Sequence, residues 1–237
     1  ADLVILTIKT TGLTQALDTM EAVVGPETRI ASLCNGITSE QKIAERFGWQ
    51  RTVLGICQGM DAVFLNNELT YDKPGEIRFG AAPDTDPAVV VDIADLYSRA
   101  GIAHVVEPDI KRRMWTKLMM NVGVNQTCMV YGGTYGSVTE RGSEQRRSLV
   151  AAMREARVVA NAEGVAIAEA DLSQMVELLE TLDPAGMPSM AQDRIVRRKT
   201  EVEEFSGTIC RLAAERGIEA PQNEWLYQRI REIEASW

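Results

Sequence analysis

Strand signals fill the first part of the chain and vanish from the rest, and that switch limits the fold more than any other feature. "LVILTIK" reads as a strand, "GLTQALDTMEAVV" as a helix, "RIASLC" as a strand, "SEQKIAERFG" as a helix and "TVLGIC" as a strand. Near-continuous apolar strands separated by helices make a parallel sheet covered on both faces. "AVFLNNELTYDKPGEIRFG" has strand-turn-strand character and predicts an antiparallel extension. "PAVVVDIADLYSRAG" follows as an amphipathic helix, with Pro87 at its start and Gly101 just past its end. "IAHVVE" closes the sheet region. From Asp109 onward the chain reads as helices, among them "DIKRRMWTKLMMNVGVNQTCMVY" and "SMAQDRIVRRKTEVEEFSGTICRLAAERG". The expected organisation is an α/β unit over residues 1–107 and an all-α unit over residues 108–237. Ligands of open α/β sheets bind beyond the carboxyl ends of the strands. Here that predicts a cleft facing the helical unit.

The charge balance narrows the partners. A net charge of −9 and a pI near 4.8 argue against a nucleic-acid surface, which needs a basic face. An anionic substrate must then be drawn by a local cation. Cys34, Cys57, Cys128 and Cys210 are dispersed, without CxxC or metal-ligand spacing, and read as reduced thiols of a cytoplasmic protein. With one histidine, His104, nothing supports a Ser-His-Asp triad or a His-rich metal site, and His104 reads as a strand-end residue. No segment has the ~18 consecutive apolar residues of a membrane span, and no signal peptide is visible. The chain opens in a buried-strand pattern, with no cap, turn or initiator Met before it, so a preceding segment is expected.

The strongest candidate for chemistry is "MWTKLMMNVGVNQT". Lys117, Asn121 and Asn125 recur every fourth residue among Leu118, Met119, Met120, Val122 and Val124. On a helix that spacing stacks an amine and two amides along one stripe. A helix apolar nearly all round is buried, and buried polar groups need partners, which a ligand-lined cleft supplies. A lysine so placed can act as a general acid toward an oxygen that gains charge. Lys9, at the end of the first strand, reads either as a solvated terminus or as a cation reaching toward a phosphate. Asn35-Gly36, at the end of the second strand, reads either as a tight turn or as an amide aimed at a ligand. Ser189 with Gln192 makes a capping box, and a helix N-terminus also suits a carboxylate or phosphate. Asp193 and Glu201 fall near one face if the helix is continuous. Glu201 is not distinguished from Glu203 and Glu204 in "TEVEE". Arg194, Arg197, Arg198 and Lys199 read as a solvated or salt-bridged face.

Taken in order, the strand ending in Lys9, "NGI" at 35–37, "WTKLMMNVGVN" at 115–125, "PSMAQD" at 188–193, "KTEVEEFSG" at 199–207 and "GIEAPQN" at 217–223 resemble the ketopantoate reductase family over nearly the whole chain. The resemblance implies a Rossmann-type NADP-binding sheet followed by an all-α domain, with the active site between them. It implies Lys117 as the general acid and Glu201 as its partner. Asn121, Asn125 and Ser189 would hold the substrate, and Lys9 and Asn35 would lie on the cofactor side. Three departures stand out. The Gly-rich phosphate loop after the first Rossmann strand is absent from this sequence, so the sheet is expected to be incomplete at its N-terminus. Gly186 stands three residues before Ser189, where the family usually has Asn. Tyr135 precedes Gly136, where a further Asn is usual.

The function expected is NADPH-dependent reduction of a small 2-oxo acid, most simply ketopantoate to pantoate in pantothenate biosynthesis. Two alternatives stay open: a member that binds a ligand or partner without turnover, and a related hydroxy-acid dehydrogenase with another substrate. No nucleic acid, membrane or metal is expected, and a homodimer is plausible from the apolar helical region.

Overall fold

The computed structural model describes residues 1–65 and 67–237. The strand-turn-strand stretch expected over residues 62–80 includes Asn66, which lies outside the described residues. Two compact units divide the chain, Ala1–Met114 and Trp115–Trp237.

The first unit holds β1 (Leu3–Leu6), α1 (Leu13–Met20), β2 (Arg29–Ser32), α2 (Ser39–Phe47) and β3 (Thr52–Met60). It continues with β4 (Val63–Leu65), β5 (Glu68–Thr70), β6 (Pro74–Ala81), α3 (Pro87–Arg99) and β7 (His104–Val106). Five strands form one sheet in the order β1-β2-β3-β6-β7, with β4 and β5 paired apart from it. β1, β2 and β3 run parallel, β6 is antiparallel to β3, and β7 is parallel to β6. The expected parallel sheet with an antiparallel extension is therefore what forms.

Alternation along the strands distributes the core to the two faces of the sheet. Ile30 packs with Leu6, Ile43 and the Leu13, Leu17 and Met20 ridge of α1. Its neighbour Ala31 turns the other way, toward Val53, Phe79 and the Val89, Ile93 and Tyr97 ridge of α3. The i, i+4, i+8 spacing on α3 is the helical stripe that the sequence predicts. Asp86 caps α3, its carboxylate accepting the Ala88 N–H at 2.9 Å, and Pro87 takes the first helical turn. β1 is shorter than "LVILTIK" predicts and ends at Leu6, whose carbonyl accepts the Leu33 N–H at 2.8 Å. Ile5 and Ile8 are exposed.

α4 (Ile110–Tyr131) opens the helical region, and its first turn belongs to the sheet unit. Ile110 and Met114 pack on Ile56, so the first turn of α4 falls in the first compact unit, which runs to Met114. The second unit then comprises α5 (Tyr135–Thr139), α6 (Glu144–Ala162), α7 (Glu169–Glu180), α8 (Ser189–Ile195), a π-helical turn (Glu203–Gly207), α9 (Thr208–Arg216) and α10 (Pro221–Ala235). The long helix expected from Ser189 through Arg216 is thus broken. Arg197 adopts a left-handed φ of 50°, and Asp193, 1% exposed, binds the Arg198 guanidinium at 2.6 and 2.7 Å. The Arg198 N–H also donates to the Asp193 carbonyl at 2.9 Å. That local knot ends α8 and leaves Asp193 and Glu201 on separate elements.

Gly123 explains how α4 lies so near α6. A Cβ at that position would come 2.6 Å from Met153 Cγ and 3.0 Å from the Leu149 carbonyl. Helices approach this closely only where one side chain is missing, and overpacking a tight contact typically costs about 1–3 kcal/mol. Gly123→Leu should therefore lower stability by about that amount, read as a reduced urea midpoint. An unchanged midpoint would show that α4 and α6 are free to separate.

Candidate functional site

Lys117, Asn121 and Asn125 occupy one face of α4, and each step of four residues rotates that face by only about 40°. Gly123 and its contact with α6 point the other way. Around the stripe the helix is buried: Trp115, Leu118, Met119, Val122, Val124, Cys128 and Met129 are all 4% exposed or less. Lys117 is partly exposed, whereas Asn121 and Asn125 are 7% and 5% exposed. The helix is thus buried on nearly every side while keeping its three polar side chains in register.

Asn125 is held by α8. Its Oδ1 accepts the Ser189 hydroxyl at 3.0 Å and the Met190 N–H at 3.3 Å. The capping box expected at Ser189 does not form: Pro188 stands at the N-cap, and Asn125 of α4 accepts the Met190 N–H from outside the helix. Gln192 does turn back, its amide donating to the Met187 carbonyl at 3.1 Å. The amide of Asn121, by contrast, has no hydrogen-bond partner among the described residues. A buried amide in that state is a group waiting for a ligand or water.

Of the three candidate glutamates, Glu203 is engaged at the surface, accepting the Tyr227 hydroxyl at 2.8 Å and an Arg231 N–H at 3.0 Å. Glu201 and Glu204 are buried, at 5% and 6% exposure. Glu201 is positioned from both sides. Its predecessor Thr200 donates N–H and hydroxyl to Glu234 of α10 at 2.8 and 2.6 Å. Its own carbonyl accepts the Glu204 and Phe205 N–H groups at the start of the π-helical turn. Such turns are rare and concentrate at functional sites.

Lys9 and Asn35 lie in the sheet unit. The register pairs Leu6 with Ser32, and each candidate is the third residue beyond its strand, so both leave neighbouring carboxyl ends of the parallel strands. Both are partly exposed. Gly36 adopts a φ of 94°, so the turn after β2 uses the glycine of the Asn-Gly pair for its left-handed residue.

Sequence reasoning missed several residues that build the helical site. Arg194, read as a surface charge, donates to the Met129 and Val130 carbonyls at 2.5 and 2.7 Å and so caps the end of α4. Gln126, fully buried, donates to the Val122 carbonyl at 2.7 Å and accepts the Ser206 N–H at 3.2 Å. Ser206 in turn donates to Asn223, which donates to Glu155 at 2.7 Å. The available signal for Gln126 was its place beside the stripe, and for Asn223 its place in "PQN". His104 is at the start of β7, with Nδ1 2.8 Å from the Ile102 carbonyl, in keeping with a structural role. No group of metal-ligating side chains forms among the described residues. The four cysteines are free, and no described helix is long and apolar enough to cross a membrane.

A Rossmann-type sheet unit followed by a helical unit that carries a lysine-amide face defines a class of two-part oxidoreductase folds. The model of the ketopantoate reductase family, PanE/ApbA, matches residues 1–84, and the model of that family's C-terminal part matches residues 109–234. This chain belongs to the ketopantoate reductase family. The 2-dehydropantoate 2-reductase of Vibrio cholerae is 25% identical over 238 residues, covering 100% of this chain and 79% of that protein. The solved 2-dehydropantoate 2-reductase of Geobacter metallireducens GS-15 superposes with a TM-score of 0.89 at 26% identity, over 98% of this chain and 77% of its own. A D-mandelate dehydrogenase, solved with NADH and anilino(oxo)acetate, also reaches 0.89, at 22% identity, over 100% of this chain and 77% of its own.

The geometry makes Arg194 structural. Hydrogen bonds from charged groups contribute about 1.5–3 kcal/mol, so Arg194→Ala should lower the free energy of unfolding by about that much. Denaturant unfolding monitored by circular dichroism measures it, and a loss below about 0.5 kcal/mol would mean the α4 carbonyls find water equally well.

Proposed function

We propose that this protein reduces a small 2-oxo acid to the 2-hydroxy acid with a nicotinamide cofactor, NADPH in the first instance, and with ketopantoate as the simplest substrate. The observation that supports this best is the polar face of α4, where a partly exposed amine stands one turn from a buried amide that has no partner among the described residues. Membership of the ketopantoate reductase family supports the same reading.

When bound, the cofactor supplies the hydride that reduces the carbonyl carbon. Lys117 holds a proton on Nζ and delivers it to the carbonyl oxygen, where negative charge develops and a proton-bearing cation is most effective. Glu201 pairs with Lys117 and keeps the amine directed at that oxygen. Asn121 donates its amide N–H groups to the substrate. Asn125 has its Oδ1 fixed by Ser189 and Met190, so its amide plane is set and its Nδ2 is the part left for the substrate. Ser189, exposed at the same junction, completes that contact. Lys9 and Asn35, at adjacent strand ends, suit the phosphate and amide contacts of a dinucleotide.

A related hydroxy-acid dehydrogenase is the second reading, supported by equal TM-scores to a ketopantoate reductase and a D-mandelate dehydrogenase. Both readings need the same proton donor. Lys117→Ala should lower kcat by ~10²–10⁴ in an NADPH-oxidation assay of the full gene product against ketopantoate and a panel of 2-oxo acids. Unchanged kcat would remove Lys117 from the chemistry. Absence of oxidation by the wild type with every acid would leave a binding protein without turnover.

A further inference from the structure

We propose that Glu234, on α10, is a positioning residue for Glu201: with Asp193 of α8 it clamps residues 198–200 and so fixes where the Glu201 carboxylate stands. The role rests on the reading of Lys117 as proton donor and Glu201 as its partner.

Glu201 needs such support because no helix or strand carries it. α8 ends at Ile195, Arg197 takes the left-handed φ of 50°, and regular hydrogen bonding resumes with the π-helical turn at Glu203. A backbone outside helix and sheet has to be ordered by other partners. Two buried carboxylates supply them. Asp193, 1% exposed, holds the Arg198 guanidinium at 2.6 and 2.7 Å. Glu234, 6% exposed, accepts the Thr200 N–H at 2.8 Å, the Thr200 hydroxyl at 2.6 Å and the Lys199 ammonium at 3.4 Å. Residues 198, 199 and 200 are thus tied in succession to two different helices, and Glu201 comes next.

Helix packing alone does not call for a carboxylate at this place. Leu226 and Ile230 of α10 are fully buried, and Glu234 stands at the next step of four residues on the same stripe. An apolar side chain would continue that stripe without the desolvation that a buried charge incurs. The last turn of a helix is also the end where negative charge is least favoured. Lys199, which meets Glu234, has a side chain 67% exposed, and ion pairs open to water contribute little. What the buried carboxylate gains in this position is Thr200, whose N–H and hydroxyl both reach the same Oε1. Bonds to a charged acceptor are short and strong, which suits a tether.

Downstream, the Glu201 carbonyl accepts the Glu204 and Phe205 N–H groups at 3.0 and 3.2 Å. With Thr200 fixed on one side and the π-helical turn on the other, the backbone of Glu201 is held at both ends. Its side chain, 5% exposed, therefore starts from a defined origin. Such support matters to chemistry, since a catalytic group displaced by about 1 Å can lose about 10²-fold in rate.

The test measures kcat and KM by NADPH oxidation for Glu234→Ala, Glu234→Gln and Thr200→Val, each alone and combined with Glu201→Gln. Glu234→Ala should lower kcat about 10²-fold with the KM for NADPH unchanged. Glu234→Gln keeps an acceptor for both Thr200 donors and should restore most of that loss. Thr200→Val removes one bond, keeps the side-chain volume and should lower kcat about tenfold; it decides the matter if Glu234→Ala does not fold. In the Glu201→Gln background neither Glu234→Ala nor Thr200→Val should lower kcat further, because both act through Glu201. A full further loss there overturns the proposal, as does wild-type kcat in natively folded Glu234→Ala or Thr200→Val, or a Glu234→Gln as impaired as Glu234→Ala. If the wild type turns over no acid, or Glu201→Gln leaves kcat unchanged, the reading of the site fails separately, and amide hydrogen exchange decides the tether. Exchange at Glu204 and Phe205 should then quicken about tenfold in folded Thr200→Val but not in Glu234→Gln, and exchange at the wild-type rate in Thr200→Val overturns the proposal.

Discussion

The helical unit depends on a reciprocal bond between α4 and α8. Asn125 of α4 satisfies the free N–H at the start of α8, and Arg194 of α8 satisfies the free carbonyls at the end of α4. Every helix leaves such groups open at its ends. Here the two helices close each other's, so sliding one along the other breaks both caps at once. The polar face of α4 is anchored at its Asn125 end, and the loop carrying Gly186 and Ser189 is anchored with it.

A second chain of contacts fixes the segment with Glu201. Gln126 occupies the position next to Asn125 and holds the Ser206 N–H of the π-helical turn. Ser206 leads through Asn223 to Glu155, whose carboxylate also accepts the Gln222 and Asn223 N–H groups at the start of α10. Glu234, at the other end of α10, holds Thr200. The turn bearing Glu201 is therefore tied to α4, α6 and α10. Polar networks of this kind are favourable only when every member is satisfied, and they then define one geometry.

The alternation of strand and helix patterns was legible because a parallel sheet writes its burial into short apolar runs. The Lys117 stripe was legible because helical period places an amine and two amides on one line. Less could be read where a side chain serves a distant backbone. Arg194 looks like any surface arginine until the end of α4 is beside it, and Ser189 looks like a cap until Asn125 occupies that role. The break at Arg197 was likewise hidden, since Asp193 and Arg198 read as ordinary charges until the carboxylate is buried against the guanidinium.

By itself the sequence determined the order of elements, the sheet-to-helix switch and the polar line on α4, because these follow from periodicities that a single chain segment carries. Its ordered motifs also pointed to the ketopantoate reductase family. Only the tertiary structure decided that Asn125 is engaged by α8 while the Asn121 amide has no partner among the described residues, and that Glu203 is spent at the surface. It alone brought Tyr135 onto Gly186, residues separated by the whole of α6, α7 and their loops. Such pairings are set by which helix ends need partners and by where a missing side chain leaves room, and neither is encoded in local spacing.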